Sequence, residues 1–237
     1  DHPSLGRDIG EILGRGKIGI PISPNLEEVG RLGDIFIDFT NPITAMETLR
    51  CAKKLGKKAV IGTTGLGLEE LKEAKEIAQE IAIVLSPNMS IGVNLLFNLV
   101  GEVVRVLGKD YDIEIIEAHH RGKKDAPSGT ALKLGEIIAS NQGKELSAVA
   151  IYGREGATGP RTREEIGIHG IRAGDIIGEH TVMFAGVGER IELIHRAHSR
   201  ENFAHGALRA VIWLSEQTKG LYSMLDVLGM KEGRADV

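Results

Sequence analysis

The stretch from Glu117 to Thr130, EAHHRGKKDAPSGT, brings two imidazoles, two lysine ammonium groups and the start of a helix into fourteen residues. Histidine titrates nearest neutrality, and a lysine beside other cations can have its pKa lowered, so the segment contains credible general acids. Asp125 and Ser128 are both candidate N-caps for the helical run ALKLGEIIAS, and Pro127 is compatible with its first turn. Gly129 would let a ligand come close to the backbone. The unpaired N–H groups of a first turn, together with the helix dipole, favour a carboxylate or phosphate. The hydroxyls of Ser128 and Thr130 add donors, and Lys123 and Lys124 strengthen the field. The chemistry these residue types suggest is seating an anion and moving a proton.

Other readings of the same residues exist. A basic loop ahead of a capped helix is also what an ordinary solvated loop looks like. DIEIIEA, Asp112 to Ala118, reads as a strand ending as it reaches His119 and His120. Neighbouring strand residues point to opposite faces, so those two histidines would share one ion only where the strand had already broken. Glu117 and Asp125 lack a ligand spacing, and no metal is expected. His180, His195 and His198 lie on strand patterns and read as structural, and Cys51, within the helical pattern AMETLRCAKKLG, reads as a buried thiol.

The elements that must position this segment follow from periodicity. DIFIDFT, KAVIGTT and IAIVLSP read as strands separated by the helical runs PITAMETLRCAKKL and LEELKEAKEIAQE. One helix between successive strands implies right-handed crossovers, and so an α/β, doubly wound (Rossmann-like) parallel sheet. Ligands in such sheets lie at the carboxyl ends of strands, here Phe39-Thr40, Gly62-Thr63-Thr64 and Ser86-Pro87-Asn88. After Gly92 come a long apolar helix (VNLLFNLVGEVVRVLG), the strand to Ala118 and the capped helix. Four further runs, AVAIYG, EIGIHGIRAG, HTVMFAG and ERIELIHRAHS, read as a largely antiparallel or mixed sheet, giving a second, α+β domain. Gly153 to Glu165 reads as a long surface loop, with a lid or an oligomer contact as alternatives.

A length of 237 residues, 42% hydrophobic and 26% charged, is ordinary for one large or two smaller globular domains. The net charge of -4 gives no reason to expect nucleic acid or an acidic membrane as partner. One cysteine excludes an internal disulfide framework. No apolar run approaches the roughly 20 residues that span a bilayer, and no signal-peptide pattern opens the sequence, so a cytoplasmic location is expected.

EAHHRGKKDAPSGTA is very similar to the signature of the dihydrodipicolinate reductase family. DIFIDFTNP, VIGTTG, SPNMSIGVN, IRAGDIIGEHTVMFA and the stretch from Gly188 to Trp213 also resemble that family, in its order, so the likeness covers nearly the whole chain. The resemblance implies reduction of a cyclic unsaturated dicarboxylate to tetrahydrodipicolinate by NADH or NADPH, in the diaminopimelate and lysine pathway. It implies Lys123 as proton donor and His119 as its acid–base partner, with a substrate carboxylate held by His120, Lys123, Ser128, Gly129 and Thr130. Cofactor contacts implied are Phe39, Gly62, Thr63, Thr64, Ser86, Pro87, Asn88, Met89 and Arg200. It further implies a discontinuous nucleotide domain, residues 1–90 and 200–237, around a substrate and oligomerisation domain of residues 91–199, assembled as a homotetramer.

One departure stands out. A dinucleotide fold opens with a strand, a glycine-rich turn and a helix N-terminus for the pyrophosphate. Gly14-Arg15-Gly16-Lys17 is the nearest candidate, but the strand-like IGIPIS follows it, so it reads as a turn. Against the family pattern roughly 35–45 residues, one strand–helix–strand unit, are missing from the front. The expectation is an N-terminally incomplete copy of the first domain. A non-catalytic dicarboxylate-binding or assembly protein that has lost its nucleotide site is the alternative. A different oxidoreductase of the same plan is disfavoured by the pairing of HHRGK with SGT.

Overall fold

The computed structural model describes residues 2–230, which divide into two compact units. Along the chain the elements are α1 (Ile9–Ile12), α2 (Leu26–Leu32), β1 (Ile35–Asp38), α3 (Pro42–Leu55), β2 (Lys58–Ile61), α4 (Leu68–Ile77) and β3 (Ala82–Leu85). There follow α5 (Ile91–Leu107), β4 (Asp112–His119), α6 (Gly129–Asn141), α7 (Leu146–Val149), β5 (Ala150–Tyr152), β6 (Ile166–Arg172), β7 (Gly178–Ala185) and β8 (Arg190–Ala197). The last are α8 (Glu201–Ser215), β9 (Gly220–Tyr222) and α9 (Met224–Val227).

The first unit comprises residues 2–85 and Val211–Leu221. Its sheet has the order β1-β2-β3-β9, with β1/β2 and β2/β3 parallel, as strand–helix–strand crossovers require. Helix α3 shows why the sequence folds this way. Asn41 caps it by accepting from the Thr44 amide, Pro42 occupies the first turn, and Gly56 closes it in the left-handed region at φ 64°. Ala45, Met46, Leu49 and Ala52 recur at helical spacing and are buried with Ile61, Ala74 and Ile83. Lys58 donates from Nζ to the carbonyls of Leu214, Ser215 and Gln217, a cation placed at the carboxyl end of α8.

Near the front, the strand expected over IGIPIS does not form; only an isolated bridge, Asp8 to Pro21, is present. The cause is Asp8, whose buried carboxylate accepts from the amides of Ile18, Gly19 and Ile20 as well as from Gly10 and Glu11. Donors that a ladder would have used are committed to a side chain, and Gly16 and Gly19, both at positive φ, bend the chain around it. Gly14-Arg15-Gly16-Lys17 is the turn it was expected to be.

A second carboxylate organises the ends of β1 and β2. Asp38, buried, accepts from the hydroxyls of Thr63 (2.6 Å), Thr40 (2.8 Å) and Thr48 (2.8 Å) and from the Thr40 amide (3.0 Å). Burial would raise its pKa, but those hydrogen bonds outweigh it and hold the carboxyl below its usual range.

The second unit comprises Ser86–Ala210 and residues 222–230. Its sheet has the order β5-β6-β4-β7-β8 and is mixed: β5/β6 and β6/β4 are parallel, β4/β7 and β7/β8 antiparallel. Val100 of α5 and Leu134 and Ile138 of α6 pack with Ile113, Ile115 and Phe184 into one core. The loop from Gly153 to Glu165 is tied down by two arginines. Arg154 pairs with Glu114 and Glu165, and Arg161 with Asp112 and Glu114. No helix of the described residues is long and apolar enough to cross a membrane.

The Thr48 hydroxyl donates to Asp38 Oδ2, whereas the other donors of this network converge on Oδ1. Thr48→Val, nearly isosteric, is expected to cost about 1–3 kcal/mol by taking the donor away from a buried carboxylate oxygen. Urea unfolding at pH 7 measures it, and an unchanged midpoint would refute the role given to this network.

Candidate active site

Strand β4 alternates, and its inward positions are Ile113, Ile115, Glu117 and His119. The period that builds the core therefore carries a carboxylate into it: Glu117 is 0% exposed. Such a charge survives only if paired. Arg172, on β6, donates to it from both Nη atoms at 2.8 and 2.7 Å, the Ser128 amide donates at 3.2 Å, and His119 Nδ1 lies 2.5 Å from Oε2. Gly170 leaves room above β6, since a Cβ there would sit 3.1 Å from Glu117 Oε1. Burial pushes the Glu117 pKa up, and the Arg172 and His119 contacts more than offset it, so the group stays ionised.

His119 is pulled the other way. Burial lowers its pKa, with Lys123 and Arg172 adding to that, and Glu117 only partly compensates. Its ring meets His180 edge-on at 5.3 Å, and its Nε2 reaches over Gly178, where a Cβ would lie 3.1 Å away. His180 faces Glu117 across the β4/β7 register, is buried, and pairs through Nε2 with Ser128 Oγ at 3.1 Å. Burial drives its pKa down to about 3, so it is neutral at working pH.

Ser128 is the cap of α6 and accepts from the Ala131 amide, while Asp125, the other candidate, is an exposed partner of Lys123, with Nζ to carboxylate distances of 2.8 and 2.9 Å. Pro127 sits ahead of the cap, joined by a cis peptide bond to Ala126, and not in the first turn. The N–H groups of Gly129 and Thr130 then begin the helix without intrahelical acceptors. Space beside Gly129 is open, as a Cβ there would meet nothing within 4 Å. His120 is half-buried over Gly122, and its carbonyl accepts from the Lys123 amide. Thus His119, Lys123, Ser128, Gly129 and Thr130 share one end of β4 and α6.

Asn88 joins this group. Its Nδ2 donates to Thr130 Oγ1 at 3.2 Å, its Oδ1 accepts from the Ser90 amide, and Asn94 holds its carbonyl. Its neighbours turn inward: Ser86 Oγ is spent on the Asn88 carbonyl, and Met89 is a core residue whose carbonyl lies against Gly206. Pro87 is exposed, as is Arg200 at the start of α8. In the first unit, Thr63 is buried and its hydroxyl belongs to the Asp38 network, whereas Thr64 and the ring of Phe39 are exposed. Gly62 is a requirement of that ring, because a Cβ would come within 2.3 Å of it.

Sequence reasoning missed Glu117, Arg172 and His180 as parts of the array. The signal for Glu117 was available: it stands two residues beyond Ile115 on a strand of period two, a buried position. Arg172 and His180 become neighbours only through strand pairing, which the sequence does not state. His195 pairs with His180 across β7/β8, and His198 falls just beyond β8. Among the described residues no group of three His, Cys, Asp or Glu side chains could hold a metal ion.

Residues 1–89 match the family description "Dihydrodipicolinate reductase, N-terminus", and residues 92–228 match "Dihydrodipicolinate reductase, C-terminus". The chain belongs to the dihydrodipicolinate reductase family. It is 53% identical to 4-hydroxy-tetrahydrodipicolinate reductase of Syntrophus aciditrophicus (strain SB), over 98% of this chain and 86% of that protein. The protein of the same name from Syntrophobacter fumaroxidans is also 53% identical, over 97% and 86%. Among solved structures, "Dipicolinate bound Dihydrodipicolinate reductase from Paenisporosarcina sp. TG-14" superposes with a TM-score of 0.70 at 27% identity, covering 95% of this chain and 86% of that one. The chain is accordingly an oxidoreductase, a reductase of lysine and diaminopimelate synthesis, and not the non-catalytic binding protein held as the alternative.

The buried, neutral state of His180 has a thermodynamic consequence. The unfolded chain binds a proton at this residue below about pH 6.5 that the native protein refuses until about pH 3, so stability present above 6.5 is lost as pH falls through that window. His180→Gln, which keeps an amide for Ser128 Oγ, is expected to remove up to about 1.4 kcal/mol per pH unit of that slope. Urea titrations of both proteins from pH 7 to pH 4 test it; parallel curves would contradict the assignment.

Proposed function

We propose that the β4 and α6 end of the second unit seats one carboxylate of a cyclic unsaturated dicarboxylate on the Gly129 and Thr130 amides, with His120, Lys123 and the Thr130 hydroxyl as further donors and Ser128, buried and engaged by Glu117, Ala131 and His180, shaping the start of the helix. The observation that carries this reading is the start of α6: two helix-end amides, open space beside Gly129, and a cap already satisfied by Ser128. The Lys123 ammonium, held by Asp125, is a cation on the loop that leads into α6; a bound carboxylate competes with Asp125 for it. The dipicolinate bound to the Paenisporosarcina reductase is a dicarboxylate of this kind.

Reduction adds a hydride and a proton across one double bond of the ring. NADH or NADPH supplies the hydride when bound. Lys123 gives the proton as its N–H bond breaks, and His119 returns one to the amine and is itself refilled from water. Donors already aimed at the anion need no rearrangement as charge develops, which is their main catalytic contribution.

Residues able to meet a nicotinamide cofactor are exposed at the ends of strands in the first unit and on the Asn88 loop of the second. In the first unit, parallel strands end at a half-exposed Phe39 ring and an exposed Thr64, while Gly62 and Thr63 fix the shape of those loops. In the second, Asn88 is the amide contact, with Ser86, Pro87 and Met89 shaping its loop and Arg200 an exposed cation. The first unit is read as the nucleotide lobe and the second as the substrate lobe. Exposed Ile171 and Ile194, on the face of the five-stranded sheet opposite its core side chains, support assembly through it as a homotetramer. The location proposed is the cytoplasm.

Lys123→Ala and His119→Ala are each expected to lower kcat about 100-fold or more, with a thermal midpoint close to wild type in Lys123→Ala and a lower one in His119→Ala, which takes a donor from the buried Glu117 carboxylate. Losses of stability that match the losses of activity would defeat these roles. Independently, dipicolinate binding followed by calorimetry is expected to weaken about tenfold in Thr130→Val, a lost hydrogen bond to a charged group. Equal affinity would refute the helix-end anion site.

A further inference from the structure

We propose that Glu117 and Arg172 act as a positioning couple for His119: the carboxylate dictates which imidazole nitrogen exchanges protons, and the guanidinium clamps that carboxylate and ties it to the loop carrying Lys123. The inference rests on the reading of His119 as an acid–base partner, and goes beyond it by naming what orients the ring.

The geometry is specific. Both Glu117 oxygens are saturated with donors: Oε1 by the Ser128 amide and Arg172 Nη2, Oε2 by Arg172 Nη1 and His119 Nδ1. An ionised carboxylate only accepts, so His119 carries its proton on Nδ1 when neutral, and Nε2 is the nitrogen that gains or gives one. Arg172 Nη2 also donates at 2.7 Å to the carbonyl of Asp125, whose carboxylate holds Lys123 Nζ. One guanidinium thereby spans from the carboxylate behind His119 to the loop of the proposed proton donor. Its Nε is buried with no partner among the described residues, so the Nη contacts set its placement.

The groups facing His119 are Glu117 on its own strand, Arg172 from β6, His180 from β7 and Lys123 from the loop, with Asp125 behind Arg172 and Lys123. Glu117 is the anion in direct contact and favours the imidazolium, whereas Arg172 disfavours it. Removing one or the other therefore moves the His119 titration in opposite directions, which loss of structure would not do.

The test uses the full chain with the family substrate and compares kcat against pH for wild type, His119→Gln, Glu117→Gln and Arg172→Gln, with dipicolinate affinity measured alongside. Glu117→Gln is expected to lower kcat about tenfold and to move the His119-dependent limb to lower pH by about one unit. Arg172→Gln is expected to move that limb to higher pH, and dipicolinate affinity should change less than kcat in both. A second measurement needs no variant: nitrogen-15 histidine spectra of the wild type should show neutral His119 protonated on Nδ1. Shifts in the same direction, an unmoved limb in both variants, or an Nε2-protonated neutral ring would overturn the couple. Should either variant fail to fold, the wild-type spectrum decides. If His119→Gln itself keeps the wild-type limb and kcat, the acid–base reading of His119 fails instead, and the two failures are distinguished.

Discussion

Burial of the Glu117 carboxylate is the constraint on which the second unit's chemistry depends. Taking a carboxylate out of water costs several kcal/mol even after relaxation, so it must be surrounded by donors that cannot leave. The donors found are a guanidinium from the neighbouring strand, the amide that opens α6 and an imidazole two residues along the same strand. Each compensating group is also a part of the proposed site or touches one. The requirement to satisfy one buried charge is thus the same requirement that fixes where His119, the start of α6 and the Lys123 loop stand with respect to each other.

Strand pairing makes that compensation possible. The rung Gly170, Glu117, His180, His195 runs across β6, β4, β7 and β8, so the carboxylate has a glycine on one side and a neutral imidazole on the other. The glycine gives it space, and the imidazole, kept uncharged by its burial, adds no second positive charge beside Arg172. His180 passes the same order on to Ser128, whose hydroxyl then caps α6. A shift of one residue in β4 would turn Glu117 and His119 away from the core face together.

Much of this was legible in the sequence, for local reasons. Helix α6 announces itself by its two candidate caps, of which Ser128 is the one used, α3 by apolar positions three and four apart, and β1 to β3 by short apolar runs between helices. The segment from His119 to Thr130 concentrates chemistry so densely that it needed no partner from elsewhere to be noticed. What stayed hidden was non-local. Arg172 reaches Glu117 because β6 pairs with β4, and no spacing within either strand says so. IGIPIS looked like a strand because alternation was visible and the capture of its amides by Asp8, ten to twelve residues earlier, was not.

The polar residues of the two units also differ in what they leave over. Around Asp38, three hydroxyls and an amide close on one carboxylate, and Thr63, which the sequence offered as a ligand contact, has its hydroxyl engaged as both donor and acceptor. Ser86 is likewise spent on a neighbouring carbonyl. Such groups hold loops in shape and have little left to give a ligand. At the start of α6 the balance is reversed: Ser128 satisfies the amide of Ala131, and the two amides before it begin the helix with no intrahelical acceptor among the described residues. Small and hydroxyl residues at strand and helix ends therefore do two different jobs here, and only the accounting of donors against acceptors separates those that build the scaffold from those that remain available to an anion.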